Sequence, residues 1–331
     1  MKRRTLLASC AGGLATGMLP FTRAASAATT WNCYTYVPAA TLAGARGMQK
    51  IVADVVKATH GGLDIKLSLA GSLPINSTNI TQAVSSGVMQ MGDDGLYQGN
   101  IPIAGILQLP MLMNTPQEFA TALKIMQPDV ERAYAAKGVI VLGTYYYPLQ
   151  VAWSRDKLES LADLRNQKMR VTSPEQAAFV RAFGGIPVTL GADEVPSALD
   201  RGVIQGVFTA SAGGGKIWHD LLKYSYRLGP NYFNAYIIAN KTAFSQLSAG
   251  DQAALKRAVA GVTPWETKTL YREETEVTAQ LRKDGMIITD AKAADIQLGT
   301  EKMKGYWAEW AKGQGPEAVK ALAKIRAALK H

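Results

Sequence analysis

The sequence contains very little cysteine and histidine, with two cysteines and three histidines in 331 residues. Cys10 lies in the N-terminal leader described below, so Cys33 would remain as the single cysteine of the mature chain. One cysteine cannot form an intramolecular disulfide. His60, His219 and His331 are far apart, and no cysteine–histidine cluster has the spacing of a zinc site. The composition therefore excludes a disulfide-stabilised scaffold and a zinc-centred protein.

Long apolar runs are also missing. Residues 2–4 carry positive charge, and the mostly apolar residues 6–21 number about 16, fewer than the roughly 20 that span a bilayer. Residues 25–27 give the small-x-small pattern of a cleavage site. This layout predicts a signal peptide over residues 1–27 and a mature protein in the periplasm. The paired arginines also permit twin-arginine (Tat) export, so the Sec and Tat routes both stay open.

The charge balance is basic, because 36 lysines and arginines outnumber 26 acidic residues and give a formal charge of +10. Four of those cations and no acid lie in the leader, so its removal would lower the charge to +6. No Lys/Arg cluster is interleaved with aromatics, and we expect no nucleic-acid partner. The remaining positive charge suits either attraction of anionic solutes or a surface that is simply kept soluble.

The motifs of common catalytic sites are missing. No G-x-S-x-G, H-E-x-x-H or G-x-G-x-x-G segment stands between a strand and a helix. The run GGGK at residues 213–216 resembles the end of a phosphate loop, but Ile217 follows where a hydroxyl is needed. Asp93 and Asp94 are either a carboxylate pair or, beside two glycines, residues of a turn. We therefore expect neither an enzyme nor a cofactor.

What is present is an alternation of helical and extended segments. Residues 41–59 have apolar positions at helical spacing, whereas residues 63–69 alternate as a strand does. A Thr-Pro pair at residues 115–116 marks a helix start. Residues 251–283 form a long helical pattern in which Pro264 predicts a break or a kink. Further strands are predicted at residues 88–91, 138–143, 151–154, 168–172, 186–190, 203–208 and 286–289. This order predicts an α/β fold with mostly parallel sheets covered on both faces.

The segment most informative about function is residues 163–206, DLRNQKMRVTSPEQAAFVRAFGGIPVTLGADEVPSALDRGVIQG. Its pieces DL, KMRV, FGGIPV, EV, AL and GVIQG fall in register with the solute-binding proteins of tripartite ATP-independent periplasmic (TRAP) transporters, the DctP family, which this sequence resembles. LSLAGSLP at residues 67–74, LPMLM at 109–113 and LSAGDQAALKRA at 247–258 also have counterparts in that family. The resemblance covers nearly all of the mature chain and is specific for the family but not for the ligand.

The resemblance implies a type II-like periplasmic binding protein, with two α/β domains, mixed sheets flanked by helices and a ligand cleft between the domains. By the same resemblance, one long helix within residues 251–283 spans both domains. We predict domain I at residues 28–148 plus 236–272 and domain II at residues 149–235 plus 273–331. The implied partners are a small carboxylate and the TRAP membrane permease subunits, and the binding protein itself is expected to be a monomer.

Arg170 is the predicted anchor for the ligand. In the family that the sequence resembles, the arginine of this strand motif pairs with the ligand carboxylate, and KMRV places it at Arg170. A guanidinium forks onto a carboxylate with two parallel hydrogen bonds and stays charged. An unpaired buried guanidinium would cost several kcal/mol. The alternative interpretations are a structural salt bridge and an edge-strand arginine.

Two departures from the family pattern narrow the choice of ligand class. Many relatives carry a second arginine after the preceding strand, at about the position where Gln150 stands here. Residues 207–209, VFT, offer no carboxylate for the metal that some relatives use, so we expect no metal. With one cation fewer, a monocarboxylate with an apolar or aromatic body is favoured over a dicarboxylate or an acidic sugar.

Aromatic residues take the place of the missing charge. Tyr145 and Tyr147 follow one predicted strand and Phe208 ends another, and open α/β sheets bind ligands at such strand ends. Other aromatic candidates are Trp31, Tyr34, Tyr36, Tyr146, Trp218, Tyr232 and Phe233. Packing in the core or at a hinge is the alternative for most of these rings. The predicted ligand-binding set is Arg170, Gln150, Tyr147, Tyr145, Phe208, Thr209, Trp31, Tyr36 and Asp94.

Two other functions stay open from the sequence alone. A binding protein of an ATP-driven importer has the same class of fold. An exported enzyme acting on a carboxylate would need a catalytic pair in the cleft, such as Asp93 or Asp94. We favour an extracytoplasmic TRAP solute-binding protein that captures a small organic acid and delivers it to the permease.

Overall fold

A computed structural model describes residues 28–330 of the chain, and the predicted signal peptide at residues 1–27 lies outside the described residues. The strands are β1 (Thr29–Thr35), β2 (Leu63–Ser68), β3 (Met91–Asp94), β4 (Val139–Tyr147), β5 (Val151–Ser154), β6 (Lys168–Val171), β7 (Ile186–Thr189), β8 (Gly206–Thr209), β9 (Tyr224–Tyr226), β10 (Phe233–Asn240) and β11 (Ile287–Thr289). The α-helices are α1 (Ala43–Ala58), α2 (Ile80–Ser85), α3 (Pro116–Ala135), α4 (Pro174–Ala182), α5 (Val195–Asp200), α6 (Lys216–Trp218), α7 (Lys241–Gln246), α8 (Ala249–Lys283), α9 (Ala293–Gln314) and α10 (Pro316–Leu329). Within residues 28–330, no helix combines the length and hydropathy of a transmembrane span.

The first sheet has five strands in the order β2-β1-β3-β10-β4. β1 is parallel to β2 and β3, whereas β10 is antiparallel to β3 and β4. Helix α1 packs on β2 and α8 packs on β4. We call this sheet and the helices on it the first lobe.

The second sheet has six strands in the order β11-β9-β5-β8-β6-β7. β6 is parallel to β7 and β8, and β11 is parallel to β9, whereas β5 is antiparallel to both of its neighbours. Both sheets are therefore mixed, which confirms the predicted α/β fold class. We call the second sheet and its helices the second lobe.

The chain passes between the lobes three times. Residues 148–150 lead from β4 to β5, residues 227–232 lead from β9 to β10, and α8 leads back towards β11. Helix α8 is continuous over 35 residues despite Pro264, and it packs on α1 and β4 of the first lobe and on Ser211–Gly215 of the second. The prediction of one long helix spanning both lobes is confirmed, and the predicted break at Pro264 is not found. Because β10 joins the first sheet from Phe233 onwards, we propose a domain boundary within residues 227–232 instead of at residue 235.

Glu273 of α8 binds a cation from each lobe. Arg46 of α1 pairs with Glu273 Oε1, and Lys216 Nζ lies 3.1 Å from Oε2. The glutamate is 5% exposed, whereas the two cations are about one-third exposed at 35% and 31% of their side chains. We call this three-residue arrangement the Glu273 clasp.

The C-terminal helices contact both lobes from outside. α10 packs on α9 and on α3 of the first lobe. Trp307 Nε1 donates to Pro110 O at 2.7 Å, and Trp310 Nε1 donates to Glu175 Oε1 of α4 at 2.9 Å. We therefore propose that α9 and α10 join the two lobes, whereas the sequence-based prediction assigns residues 273–331 to domain II.

Local sequence signals explain where several elements begin and end. Thr115 Oγ1 accepts from the Glu118 N–H at 3.1 Å, Glu118 Oε2 accepts from the Thr115 N–H, and Pro116 occupies the first turn of α3. This capping box and proline confirm the predicted helix start. After α1, Gly61 takes a φ of 80°, a left-handed conformation that lets the chain reverse into β2.

β3 and β10 are two of the strands that differ from the sequence-based expectation. The strand expected at residues 88–91 is instead Met91–Asp94, so Asp93 and Asp94 lie inside a buried strand and the turn interpretation is wrong. The pattern does not predict β10, in which all eight residues are buried. A strand buried on both faces lacks the polar–apolar alternation by which single strands are recognised.

Candidate functional site

A cavity lies between the two lobes, at the ends of β4 and β8 and beside β6. It contains about 460 Å³ of space free of protein atoms, counting the part that is open to solvent. The walls from the first lobe are Tyr36, Val37, Pro38, Leu42, Leu96, Tyr147 and Phe233. The walls from the first crossing and the second lobe are Gln150, Arg170, Thr172, Ala192, Thr209, Gly213, Gly214, Ile217 and Trp218.

Arg170 projects into this cavity from β6, an interior strand that pairs with β7 at Val188 and with β8 at Val207. The residue is 4% exposed. Its Nε donates to Leu190 O at 3.0 Å, and its terminal nitrogens have no hydrogen bond or ion pair within residues 28–330. Neither alternative interpretation of Arg170 fits, because β6 is not an edge strand and the described residues provide no salt bridge.

The charge of Arg170 is stabilised by more distant groups. Its guanidinium carbon lies 5.7 Å from the centre of the Trp218 ring, a cation–π arrangement. Burial lowers the pKa of Arg170 to about 10, and Glu194 and Asp193 partly oppose that decrease. The side chain therefore remains a cation at any physiological pH.

Gln150 lies in the first crossing and contributes an acceptor to the cavity. Its backbone N–H donates to Asn231 O at 2.9 Å, and its Nε2 donates to Pro148 O at 3.1 Å. The residue is 4% exposed and lines the cavity, and its Oε1 accepts no hydrogen bond from residues 28–330. The amide oxygen is therefore available to an N–H or O–H group of a ligand.

The tyrosines of the first lobe form a hydrogen-bonded group. Tyr36 Oη lies 3.1 Å from Tyr147 Oη and 3.2 Å from Tyr145 Oη. Tyr145 donates to Asp93, at 3.1 Å from Oδ2, and Thr35 Oγ1 donates to the same oxygen at 2.6 Å. Tyr36 and Tyr147 line the cavity, whereas Tyr145 lies behind them.

The glycine run after β8 makes room for aromatic rings. A Cβ atom on Gly214 would lie 2.0 Å from Trp218 Cζ3, and one on Gly215 would lie 2.8 Å from Trp153 Cζ2. The Gly214 N–H donates to Thr209 Oγ1 at 2.9 Å, which fixes the segment to the end of β8. The run therefore serves close packing beside the cavity, which explains it without a phosphate.

Five of the nine predicted site residues line the cavity, and the other four lie elsewhere. The five that line it are Arg170, Gln150, Tyr147, Thr209 and Tyr36.

The other four, Tyr145, Phe208, Trp31 and Asp94, are buried in the protein interior and are not among the cavity walls. Successive residues of a strand point to opposite faces, so Phe208 packs edge-on against Phe179 while Thr209 reaches the cavity. Asp94 accepts from Thr81 and from Tyr134 instead. Asp94 therefore does not line the cavity, contrary to the prediction.

Three of the wall residues that are missing from the predicted set carry an aromatic ring or a hydroxyl group. Trp218 and Phe233 are among the aromatic candidates of the sequence, but their positions depend on the glycine run and on the unpredicted strand β10. Thr172 follows the KMRV strand directly, and its position at a strand end is a signal that could have identified it.

We expect the protein to be less stable at pH 8 than at pH 5. Burial raises the pKa of Asp93 and of Asp94 from 3.8 to about 7. A carboxyl with a raised folded-state pKa contributes stability that is present below the unfolded-state pKa and is lost as the pH rises through the folded-state pKa. For each acid, the difference of about three units between the folded-state and unfolded-state pKa corresponds to about 4 kcal/mol of folding stability, which is lost between pH 4 and pH 7. Calorimetric unfolding at pH 5 and pH 8 measures the effect.

The matched variant for this prediction is Asp94→Asn, which removes one of the two titrating groups. The fall in unfolding midpoint between pH 5 and pH 8 should be smaller in the variant than in the unaltered protein. An equal fall in both proteins would contradict the assignment of the effect to the buried acids.

Comparison with known proteins places the chain among bacterial binding proteins. The sequence profile of the family described as "Bacterial extracellular solute-binding protein, family 7", DctP, matches residues 36–314. The ectoine/5-hydroxyectoine-binding periplasmic protein UehA of Ruegeria pomeroyi is 24% identical over 78% of this chain and 80% of its own length.

Solved structures share the fold. The crystal structure of DctP6, an extracytoplasmic solute receptor of Bordetella pertussis binding pyroglutamic acid, is 25% identical with a TM-score of 0.84, and the match covers 92% of this chain and 100% of that chain. A TRAP periplasmic solute-binding protein from Desulfovibrio salexigens with bound orotic acid has a TM-score of 0.81 at 18% identity, covering 90% of this chain and 98% of that chain.

Proposed function

The chain belongs to family 7 of the bacterial extracellular solute-binding proteins, the DctP family of TRAP transporters, and from this membership we propose that it captures a small monocarboxylate with a ring or apolar body. The loaded protein would then deliver that acid to the membrane permease. Members of this family are extracytoplasmic transport proteins, so this chain is one as well. The identity of the acid and the residues that bind it are our proposal.

The proposal depends on the buried guanidinium of Arg170. Among the described residues that line the cavity, Arg170 is the only charged one. A ligand carboxylate placed on its terminal nitrogens neutralises it with two parallel hydrogen bonds. A second carboxylate on the same ligand would face tyrosine, phenylalanine and tryptophan side chains without a cation, and burying it there would be costly.

The shape and polarity of the walls favour a compact body on the acid. Tyr36 and Phe233 of the first lobe and Trp218 of the second supply aromatic surface, and Gln150 supplies an acceptor. Aromatic walls bind apolar and planar groups well. Two of the solved structures of similar fold contain pyroglutamic acid and orotic acid. Each of these acids carries one carboxyl group on a ring that bears N–H groups.

Capture would close the lobes around the acid. Arg170 belongs to the second lobe, and Tyr36 and Phe233 belong to the first. A ligand that touches both sets of residues binds the closed arrangement more tightly than an open one, so it shifts the population towards closure. We propose that residues 1–27 direct export and that the mature monomer works in the periplasm, with its two domains hinged at the crossings.

We expect monocarboxylates to stabilise the protein more than dicarboxylates do. A ligand that binds only the folded state raises the unfolding midpoint. At a ligand concentration of a hundred times the Kd, the free energy of unfolding increases by about 2.7 kcal/mol. A thermal-shift screen would compare pyroglutamate, benzoate and lactate with succinate, malate and fumarate at equal concentration. A screen in which the C4 dicarboxylates alone raise the midpoint would refute the proposal.

A further inference from the structure

A line of hydroxyl groups runs from the cavity wall to a buried carboxyl group. It consists of Tyr147, Tyr36 and Tyr145, with oxygen–oxygen distances of 3.1 and 3.2 Å between neighbours, and we call it the tyrosine line. Its inner end, Tyr145 Oη, lies 3.2 Å from Asp93 Oδ1 and 3.1 Å from Oδ2. Its outer residues line the cavity, whereas Asp93 is 0% exposed. The line therefore connects the cavity to a group that solvent does not reach.

The surroundings of Asp93 contain hydroxyl donors and other acids. Thr35 Oγ1 donates to Oδ2 at 2.6 Å. The titratable groups that act on Asp93 or feel its charge come from β1, β3, β4 and α8, and they are Cys33, Tyr36, Asp94, Tyr145, Tyr147 and Glu266. Opposite it, β10 presents Ile237, and α1 presents Gly44 beside the tyrosine hydroxyls. None of these groups from the described residues is a cation, so the ionised Asp93 lacks a counter-charge.

The protonation state of Asp93 decides whether the hydrogen bonds of the tyrosine line form an unbroken series. Each phenol has one hydrogen, and an ionised carboxylate can only accept. When Asp93 is ionised, Tyr145 donates to it and Tyr36 donates to Tyr147, so no hydrogen is left between Tyr36 and Tyr145. When Asp93 is protonated at Oδ1, it donates to Tyr145, each tyrosine donates outwards, and the hydrogen of Tyr147 is left for an acceptor outside the line.

We propose that Asp93 is a positioning residue that takes up one proton when an anionic ligand is captured, because its protonation completes the tyrosine line. This inference rests on the proposed function, in which the cavity binds a carboxylate. The proton removes a buried negative charge near the entering anion, and the unbroken series of hydrogen bonds makes the Tyr147 hydroxyl a stronger donor to that anion. Both effects favour the protonated form in the loaded protein.

The direction of the pH dependence follows from linkage. Burial raises the pKa of Asp93 to about 7 in the free protein, so the group is near its midpoint at neutral pH. A ligand that favours the protonated form raises that midpoint further, so affinity is highest at acidic pH and declines as the pH rises above 7. The decline should approach about tenfold per pH unit until the midpoint of the loaded protein is reached.

Calorimetry with pyroglutamate as the probe tests the coupling directly. Its carboxyl stays ionised from pH 6 to pH 8.5, so any proton taken up on binding belongs to the protein. Titrations in two buffers of different ionisation enthalpy should show an uptake of about half a proton or more per ligand at pH 7.5. The Kd should be about tenfold larger at pH 8.5 than at pH 6. An uptake indistinguishable from zero, or a release of protons, would overturn the inference.

Three variants separate this role from a merely structural one. Asp93→Asn should abolish the proton uptake, and Tyr36→Phe, which interrupts the line while leaving Asp93 in place, should reduce it. The control is Asp94→Asn, because that neighbouring acid is equally buried but bonds to Thr81 and Tyr134. The control should keep the uptake of the unaltered protein, and a loss of uptake in the control alone would overturn the assignment to Asp93.

A measurement on the free protein keeps the inference testable if no monocarboxylate binds, a result that would refute the proposed function by itself. Carbon-13 NMR of the aspartate carboxyls reports the titration of Asp93. Removing the cavity cation by Arg170→Met should raise the Asp93 midpoint by about half a unit or more. Adding Tyr36→Phe should shrink that rise. Equal midpoints with and without Arg170 would show that Asp93 does not sense charge in the cavity.

Discussion

Replacing Arg170 by methionine should weaken carboxylate binding by two orders of magnitude or more, on the order of 3 kcal/mol. The terminal nitrogens of Arg170 have no partner within residues 28–330, so the ligand carboxylate would supply their hydrogen bonds. Methionine keeps the length of the side chain and removes both the charge and the donors. Calorimetry with the best monocarboxylate of the screen measures the loss.

Two further substitutions serve as controls for Arg170→Met. Arg170→Lys retains a charge but not the planar fork, so it should restore part of the lost affinity. Arg165→Met removes an exposed arginine of the same lobe and should leave binding unchanged. The unfolding midpoint of Arg170→Met should not fall, because the substitution takes away a buried charge. A loss of binding below fivefold would remove Arg170 from the site.

Gly214→Ala should damage both stability and binding. The new Cβ would lie 2.0 Å from Trp218 Cζ3, a distance that no real contact reaches, and the ring is 3% exposed with little space to move. Overpacking of this kind costs about 1–3 kcal/mol. Because Trp218 also stacks under Arg170, its displacement should weaken ligand binding by about tenfold or more. Chemical denaturation and calorimetry measure the two effects.

Gly261→Ala is the matched control for this substitution. Gly261 lies within α8, and its added Cβ would meet no atom within 4 Å. Alanine there should be neutral or should stabilise the helix. In the double variant Gly214→Ala/Trp218→Leu, the smaller side chain should recover part of the stability but not the affinity. Equal stability of Gly214→Ala and the unaltered protein would show that the ring yields easily.

The sequence predicts the fold class and a position of Arg170 at the cavity, because both depend on local pattern and on motifs. Alternating helical and extended segments predict an α/β fold, the resemblance to the DctP family implies mixed sheets, and the KMRV strand places Arg170 at the cavity. The second crossing is expected at residue 235, within β10, because a strand buried on both faces has no alternation to detect and β10 is not predicted. β3 is shifted along the chain because its two aspartates resemble a turn until their hydroxyl partners are known.

The choice among aromatic residues requires three-dimensional information. Phe208 and Thr209 are neighbours in β8, so their side chains point to opposite faces of the sheet and only one of them can face the cavity. Only the pairing of β8 with β5 and β6 shows that Thr209 is the residue that lines the cavity. Trp218 packs on Gly214, and the purpose of that glycine is not evident until the ring is placed.

We expect the Glu273 clasp to make the retention of the proposed solute depend on the salt concentration of the surrounding solution. One carboxylate joins Arg46 of the first lobe to Lys216 of the second, so separating the lobes must break at least one of these ion pairs. The two cations are partly exposed, and dissolved salt weakens ion pairs at an exposed surface. We therefore expect a saline medium to shorten the residence time of the solute, so that the off-rate depends on ionic strength.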